Sequence, residues 1–191
     1  MNKWLGLAAM ALFAQTCSAG WLLDQNESRV NFITTKNVNF TELNYIRNLA
    51  GDIGDDGHAT LTMDLRSVET HAPDRNERLQ TGFFEVSKFP ASKVTLTLDG
   101  KKLLALPVGG RLETDAAATV SLHGVEKKLE ARLAVTKLKD DGLQVVSLLP
   151  VIVAVEDFGL AAGLEVMRSM VELKNIGNKV PVTFNLIFTK H

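Results

Sequence analysis

Hydrophobic and polar residues alternate along most of the chain. Four segments place an apolar side chain at every second position: "HATLTMDLRS", "SKVTLTLDG", "KKLEARLAVTKL" and "NKVPVTFNLIFTK". This period of two is typical of β-strands with one face in a dry core and the other in water, as in an antiparallel sheet or barrel. The alternation therefore predicts an all-β fold.

Short stretches rich in glycine and charged residues separate these segments. They include "GDIGDDGH", "LDGKK", "VGGR", "LHGVEKK", "KDDGLQ" and "KNIGNK", and glycine, asparagine and aspartate are residues that tight turns favour. Strands that follow one another every 10–15 residues or so through hairpin-length loops form a meander that closes on itself. We therefore expect one antiparallel β-barrel.

Two segments break the alternation. From 73 to about 86, Leu79 and Phe83 fall on one face at helical spacing, which predicts a short helix. In the second segment, 157–175, we expect a turn of helix followed by a strand near Met170–Leu173. The barrel should thus carry one or two short helices.

The first 19 residues have the layout of a secretory signal peptide. Lys3 precedes an apolar run, and small residues precede a cleavage position after Ala19. The apolar run is shorter than the roughly 18 residues that a membrane-spanning helix needs, which disfavours a membrane anchor. A lipoprotein signal at Cys17 is disfavoured because the preceding residue is neither glycine nor alanine. We predict a signal peptide over 1–19 and one domain over 20–191, located in the periplasm or secreted.

Charge and cysteine content limit the partners. The chain carries 21 basic and 22 acidic residues, a formal net charge of −1, without a basic tract of the kind that binds nucleic acid or an anionic membrane surface. Cys17 is the single cysteine, so cleavage would leave a domain without disulfides whose stability depends on its core. Nucleic acid is not an expected partner, and no transmembrane segment is expected after cleavage.

Several motifs, in a fixed order, resemble one known family. The chain opens with "WLLDQNESRVNF", continues with "RNERLQTGFFEVSKFP", and later carries "SLHGVEKK" and "EDFGL". From Trp21 to about Phe188 it resembles the YceI family of secreted, lipocalin-like barrels that bind polyisoprenoid lipids. The resemblance implies a single antiparallel lipocalin-like barrel of about eight strands, with an isoprenoid-type lipid as its ligand.

The chain departs from the family pattern at three polar positions. Glu27 stands where the family has a histidine in its opening strand. Asn76 and Arg78 replace the aspartate and the histidine of its Arg-Asp-x-His-Leu motif, whereas Arg75 and Leu79 keep that motif. These differences concern side chains expected near the lipid headgroup and leave the apolar pattern of the fold unchanged.

The predicted apolar pocket combines residues of the strands with residues of the two irregular segments. Phe83 and Phe84 are adjacent, so we expect at most one of them to face a ligand. A barrel of about eight strands either holds one ligand or is filled by its own side chains, and the many apolar residues leave both outcomes open. The candidates are Phe32, Phe40, Leu79, Phe83, Phe84, Leu122, Val151, Val153 and Phe158.

Arg75, Arg78 and Glu27 are the candidates for binding a polar lipid head. The planar guanidinium of arginine suits phosphate because it donates two parallel hydrogen bonds. For Arg78 the alternative is a solvated helix face, since acidic residues are interleaved with the two arginines. For Arg75 the alternative is a structural role, in which it anchors its own segment.

No catalytic group, metal site or cofactor is predicted. The histidines lack metal-ligand spacing, and His123, beside Gly124 in a turn, is expected to be structural. The leading hypothesis is a non-enzymatic barrel that holds an isoprenoid-type lipid (a polyprenyl phosphate or a quinone-like molecule) as carrier or store. Whether it forms a homodimer is left open.

Two other hypotheses remain at this level. The first is an exported enzyme acting on a similar lipid, with Glu27, Asp157 and Arg75 as acid, base and anion clamp, which would require these groups to converge. The second is a stress-related or structural β protein with a filled core. The volume of the barrel interior distinguishes the second from a lipid-binding protein.

Overall fold

The computed structural model of the protein describes residues 20–191, so the predicted signal peptide lies outside the described residues. Twelve strands form one sheet with antiparallel pairing throughout. The strands are β1 (Gly20–Leu23), β2 (Arg29–Lys36), β3 (Phe40–Ile46), β4 (Leu49–Gly54), β5 (His58–Asp64), β6 (Val68–Glu69), β7 (Ala91–Thr97), β8 (Arg111–Leu122), β9 (Val125–Lys137), β10 (Leu143–Ser147), β11 (Val151–Ala154) and β12 (Lys179–Lys190).

The twelve strands occupy eight positions around a closed barrel. Four positions are each shared by two consecutive strands with a short break between them: β1 with β2, β3 with β4, β5 with β6, and β10 with β11. β12 closes the barrel, because one of its edges pairs with β10 and β11 and the other pairs with β1 and β2. The prediction of an antiparallel, lipocalin-like barrel of about eight strands is confirmed.

The alternating pattern of the sequence becomes the inner wall of the barrel. Successive side chains of a strand point to opposite faces, so every second residue of each segment faces inward. The inward set of the four segments lines the interior: Ala59, Leu61, Met63, Val94, Leu96, Leu98, Leu129, Ala131, Leu133, Val180, Val182, Phe184, Leu186 and Phe188.

Short helices join some of the strands. They are α1 (Pro73–Arg78), which runs on as a π-helical turn (Leu79–Phe83), α2 (Gly100–Ala105) and α3 (Ala161–Met170). The helix predicted to begin near 73 is confirmed, and a proline suits its first position because that amide has no partner within a helix. α2 occupies a stretch predicted only as a turn, and Asp99 caps it by accepting a hydrogen bond from the Lys102 amide at 3.1 Å. Within residues 20–191, no helix combines the length and apolar character that crossing a membrane would require.

The strand predicted near Met170–Leu173 is wrong, because α3 extends through the first of these residues and a turn follows it. Leu160, Leu164 and Met167 fall at helical spacing and face the barrel interior. Gly163 lies close to the π-helical turn: a Cβ at this position would be 3.2 Å from the carbonyl oxygen of Gly82. This close approach holds α3 over one end of the barrel.

The opposite end of the barrel is closed by tight packing. Trp21 is buried, and its Nε1 donates a hydrogen bond to the carbonyl oxygen of Asp141 at 2.7 Å. The ammonium groups of Lys190 and Lys137 lie 3.9 Å and 5.2 Å from the Trp21 ring centroid, within the range of cation–π attraction. Leu103 of α2 is fully buried in the same core. Access to the interior is therefore expected from the other end, near α1 and α3.

Candidate functional site

The barrel encloses a cavity of about 270 Å³ with an apolar wall. A water molecule needs only about 10–15 Å³, and small-molecule sites begin at about 300 Å³, so this space is far larger than a water site and approaches the size of a small-molecule site. Inward-facing strand residues form its sides, and residues of the π-helical turn and α3 close it at one end. Thr34, Thr60 and Ser92 are the side chains of its wall that carry a polar atom. The interior is thus not filled by the side chains of the barrel.

A second space of about 300 Å³, which we call the mouth, adjoins the cavity between β2, β3, α1 and α3. The cavity and the mouth have five wall residues in common: Phe32, Thr34, Leu79, Met167 and Ile176. The other wall residues of the mouth are Lys36, Asn44, Thr70, Ala72, Arg75, Arg78, Val171 and Leu173. The two spaces are therefore adjacent, the inner one with an apolar wall and the outer one with charged and polar side chains in its wall.

Most of the predicted pocket residues lie on the cavity wall: Phe32, Leu79, Phe83, Phe84, Leu122, Val151 and Val153. Phe83 and Phe84 both reach it, although at most one was expected to. They stand at the end of a helical turn, where adjacent side chains diverge without pointing to opposite faces. Their ring centroids are 4.9 Å apart in an edge-to-face arrangement, which is the favoured geometry for two aromatic rings.

Two predicted pocket residues lie outside the cavity wall. Phe158 is fully buried in a cluster with Val155 and Leu160, which line the cavity, but it does not line the cavity itself. Phe40 begins β3 and is 60% exposed. It stands an even number of residues from the inward-facing Asn44, but it is the first residue of β3, paired with the last residue of β2.

The mouth brings together cations from two parts of the chain. Arg75 donates from Nη1 to Oε1 of Glu42 at 2.6 Å, and the ammonium of Lys36 lies 2.5 Å from Oε2 of the same carboxylate. Arg75 also donates from Nη2 to the carbonyl oxygen of Thr70. Burial raises the pKa of Glu42, but its bonds to Lys36 and Arg75 outweigh that effect and leave the pKa below its usual value. Glu42 is therefore ionised at neutral pH and bridges β3, β2 and α1.

Arg78 occupies a different environment from Arg75. It walls the mouth one turn further along α1. The Nε atoms of both arginines are buried without a hydrogen-bond partner among the described residues, as is Oδ1 of Asn44. A buried polar group without a partner costs roughly 1–3 kcal/mol, so these atoms are places where a ligand can supply the missing bond.

Asn76, which departs from the family motif, holds the segment before α1. Its Oδ1 accepts hydrogen bonds from the amide and hydroxyl of Thr70 at 2.8 Å and 2.6 Å, and its Nδ2 donates to Oε1 of Glu69 at 3.2 Å. The bond from Asn76, followed by those from the His71 amide and Arg47, lowers the pKa of Glu69. Asn76 does not line the mouth. It fixes the backbone that carries Arg75.

His123 joins the β8–β9 turn to the segment after α1. Its Nε2 is 2.9 Å from Oε2 of Glu85, and its ring lies 4.4 Å from that of Phe89. A Cβ at Gly124 would be 2.9 Å from the Phe89 ring, and this residue has a φ of +75°, so both space and backbone favour glycine. The histidine-glycine turn is therefore a structural contact. The pKa of Glu85 is lowered, first by Lys88 and then by His123.

The residues proposed for catalysis do not converge. Glu27 is exposed in the β1–β2 turn and Asp157 is exposed before α3, and neither lines the cavity or the mouth. Of the three, Arg75 alone lines the mouth. Within the part of the chain that the structure describes, no three His, Cys, Asp or Glu residues lie close enough to hold a metal ion.

Sequence analysis missed the polar residues that β2 and β3 place at the mouth. Lys36, Glu42 and Asn44 follow the strand alternation, since they share the inward parity of Phe32 and Ile46. The signal that could have identified these three residues is their polar character at inward-facing positions near the end of a strand. Their meeting with α1, about 30 residues away in the chain, follows from the fold.

These features define a class of protein: a lipocalin-like β-barrel with an internal apolar cavity and a polar mouth. The YceI-like domain matches residues 21–188, and the chain belongs to the YceI family.

Solved structures agree with this assignment. The chain is similar to a polyisoprenoid binding domain from Saccharophagus degradans implicated in plant cell wall breakdown, with 31% identity, a TM-score of 0.88, and coverage of 91% of this chain and 99% of that one. It is similar in fold to BcnA of Burkholderia cenocepacia, with 14% identity, a TM-score of 0.64, and coverage of 86% and 98%. No curated protein matches the chain.

Proposed function

We propose that this protein holds an isoprenoid-type lipid, with the hydrocarbon tail in the barrel cavity and the polar head at the mouth. The observation that supports this most directly is the apolar cavity with a mouth beside it whose wall carries charged and polar side chains. This arrangement matches a molecule with one long apolar part and one polar end. The S. degradans domain, to which the chain is similar, is described as polyisoprenoid binding.

The cavity can supply useful affinity without any catalytic group. At about 0.3 kcal/mol per heavy atom, a tail of about 20–40 carbons contributes on the order of 6–12 kcal/mol. The upper figure corresponds to nanomolar binding. Tails at the longer end would extend from the cavity into the mouth, whose wall includes Leu79, Val171 and Leu173.

The role of carrier or store in the periplasm or outside the cell is part of the same proposal. Its support is the signal-peptide layout of residues 1–19. An isoprenoid tail exposes a large apolar surface to water, and a closed barrel shields that surface while the lipid crosses an aqueous compartment. Binding and shielding suffice for this role, and the proposal includes no reaction.

The proposal is tested by measuring the lipid content of the native protein. Protein purified without detergent should release an isoprenoid-type lipid into organic solvent, detected by mass spectrometry. Ala118 of β8 is buried and walls the cavity, whereas the adjacent Ala117 is exposed. We expect Ala118→Phe to lower the amount of bound lipid several-fold because its ring occupies part of the cavity, and Ala117→Phe to leave it unchanged.

Far-ultraviolet circular dichroism of both variants checks that the barrel is intact. Absence of lipid from the native protein, together with failure of the lipid-free protein to bind isoprenoids in vitro, would contradict the proposal. Equal lipid content in the two phenylalanine variants would place the lipid outside the cavity.

A further inference from the structure

The mouth contains buried hydrogen-bond donors that lack a partner in the part of the chain that the structure describes. Among its wall residues, Arg75 and Arg78 each bury an Nε–H group that meets no partner within the described residues. Among residues 20–191, two buried acceptors lack a hydrogen-bond partner as well: the amide oxygen of Asn44, and Oε2 of Glu42, whose charge is compensated by the Lys36 ammonium at 2.5 Å. Since arginine can only donate, the group that completes these two sites must supply acceptor oxygens.

The mouth also carries positive charge. Lys36, Arg75 and Arg78 wall it, and Glu42 is the carboxylate that pairs with two of them, at 2.5 Å and 2.6 Å. Arg78 takes part in no ion pair within residues 20–191, although acidic residues precede it on α1. A half-buried guanidinium that lacks a counter-charge attracts an anion more strongly than one that already contacts a carboxylate.

We propose that the mouth selects an anionic lipid head, of the phosphate-ester type, and that Arg78 is the residue that determines this selectivity. The inference rests on the proposed function, because it concerns the head of the lipid whose tail lies in the cavity. It decides between the two headgroup chemistries considered above, a polyprenyl phosphate and a neutral, quinone-like molecule, in favour of the phosphate.

The distribution of roles follows from the contacts. Arg75 donates to Glu42 and to the Thr70 carbonyl, so it shapes the mouth and its charge is already compensated by a carboxylate. Arg78 lies three residues further on, which places it beside Arg75 on the helix. Its planar fork can donate two parallel hydrogen bonds to phosphate oxygens. A neutral head would leave the charge of Arg78 without compensation.

The experiment compares two probes with the same tail, geranylgeranyl monophosphate and geranylgeraniol, together with inorganic phosphate. The measurement is the ability of each probe to displace an apolar fluorescent dye from protein freed of lipid. We expect the phosphate lipid to bind at least about tenfold more tightly than the alcohol, and inorganic phosphate alone to bind far more weakly than either because it lacks a tail.

Two variants test whether Arg78 causes the preference for the phosphate lipid. Arg78→Gln should abolish the preference for the phosphate lipid and leave the affinity for the alcohol unchanged. Arg111→Gln is the matched control: Arg111 is exposed in β8, pairs with Glu113, and lines neither the cavity nor the mouth. The same loss of charge there should leave the preference intact. Melting temperatures confirm that both variants are folded.

The outcomes separate this inference from the proposed function. Equal affinity of the native protein for the phosphate lipid and the alcohol would overturn the inference while leaving lipid binding in place, and this comparison needs no variant. A preference that survives Arg78→Gln would overturn the role of Arg78. Inorganic phosphate binding as tightly as the phosphate lipid would show a free-phosphate site and overturn a lipid-head site. Binding of neither lipid would contradict the proposed function itself.

Discussion

At the scale of single residues, polar side chains divide into those that build the mouth and those that hold it in place. Arg78 and Asn44 present unpartnered atoms to the mouth. Asn76 and His123 have their hydrogen bonds within the protein and fix the segment that carries α1. A departure from a family motif therefore has different consequences at neighbouring positions: Asn76 is structural, whereas Arg78 faces the site.

Asn76→Ala tests the structural role of that residue. The substitution removes three hydrogen bonds, leaves the buried Thr70 amide without its acceptor, and leaves the Thr70 hydroxyl with only the Ala72 carbonyl oxygen at 3.4 Å. We expect a loss of about 1–3 kcal/mol in the free energy of unfolding, measured by urea denaturation. Glu77→Ala, at an exposed position of the same helix, is the control and should change this free energy by less than about 0.5 kcal/mol. An equal effect of the two substitutions would show that the Asn76 bonds contribute nothing specific.

At the scale of elements, the site depends on how the pieces at one end of the barrel meet. The β2–β3 turn contacts the segment after α3, where the Asn37 amide donates to the Asn175 carbonyl at 3.1 Å and the Gly177 amide to the Thr35 carbonyl at 2.8 Å. α3 in turn lies against the π-helical turn that carries Phe83. The mouth is thus bounded by elements that contact one another in series, and displacing one changes the opening.

Gly163→Val tests the contact between α3 and the π-helical turn. A Cβ at Gly163 would already be 3.2 Å from the Gly82 carbonyl and 3.4 Å from the Phe83 Cα, so a branched side chain cannot fit without displacing α3. Overpacking of this kind costs typically about 1–3 kcal/mol, which corresponds to a lower melting temperature. Ala162→Val, at the exposed neighbouring position, controls for the helix propensity of valine. A melting temperature equal to that of the control would contradict the close contact.

At the scale of the whole molecule, the barrel is asymmetric from end to end. One end is packed solid around Trp21 and Leu103, and the other opens through a polar mouth. The carboxylates that join elements at the open end, Glu42, Glu69 and Glu85, all have pKa values below their usual value. Protonation of these carboxylates in acid should therefore weaken the contacts at the end that holds the site.

The sign of this pH effect follows from the direction of the shifts. A carboxyl group whose pKa is lower in the folded state stabilises the protein above its unfolded pKa, and this contribution is lost as the pH falls through the folded value. Stability should thus decline below about pH 4.5, the unperturbed value for Glu42. Glu42→Gln should be less stable than the native protein at pH 7, and the difference should shrink as the pH falls, as measured by urea denaturation at each pH. A constant difference would show that ionisation of Glu42 does not contribute.

The alternation of apolar and polar residues was sufficient to predict which side chains face inward, because period two places one face of every strand inward whatever the neighbouring strands are. Leu61, Val94 and Leu133 face the interior as that pattern requires. The helix beginning at Pro73 was likewise predictable from local spacing. α3 was harder, since the helical spacing of Leu164 and Met167 is short and follows two glycines.

The sequence by itself determined which side chains face inward, where the chain turns, and which family it resembles, because these depend on residues close together in the chain. Only the tertiary structure decided that the inward side chains leave a cavity of about 270 Å³. Periodicity fixes the direction of a side chain but not the distance to the side chain opposite. Likewise, the contact of Glu42 with both Lys36 and Arg75, which leaves Arg78 without a carboxylate, arises where the closed barrel brings β2, β3 and α1 together.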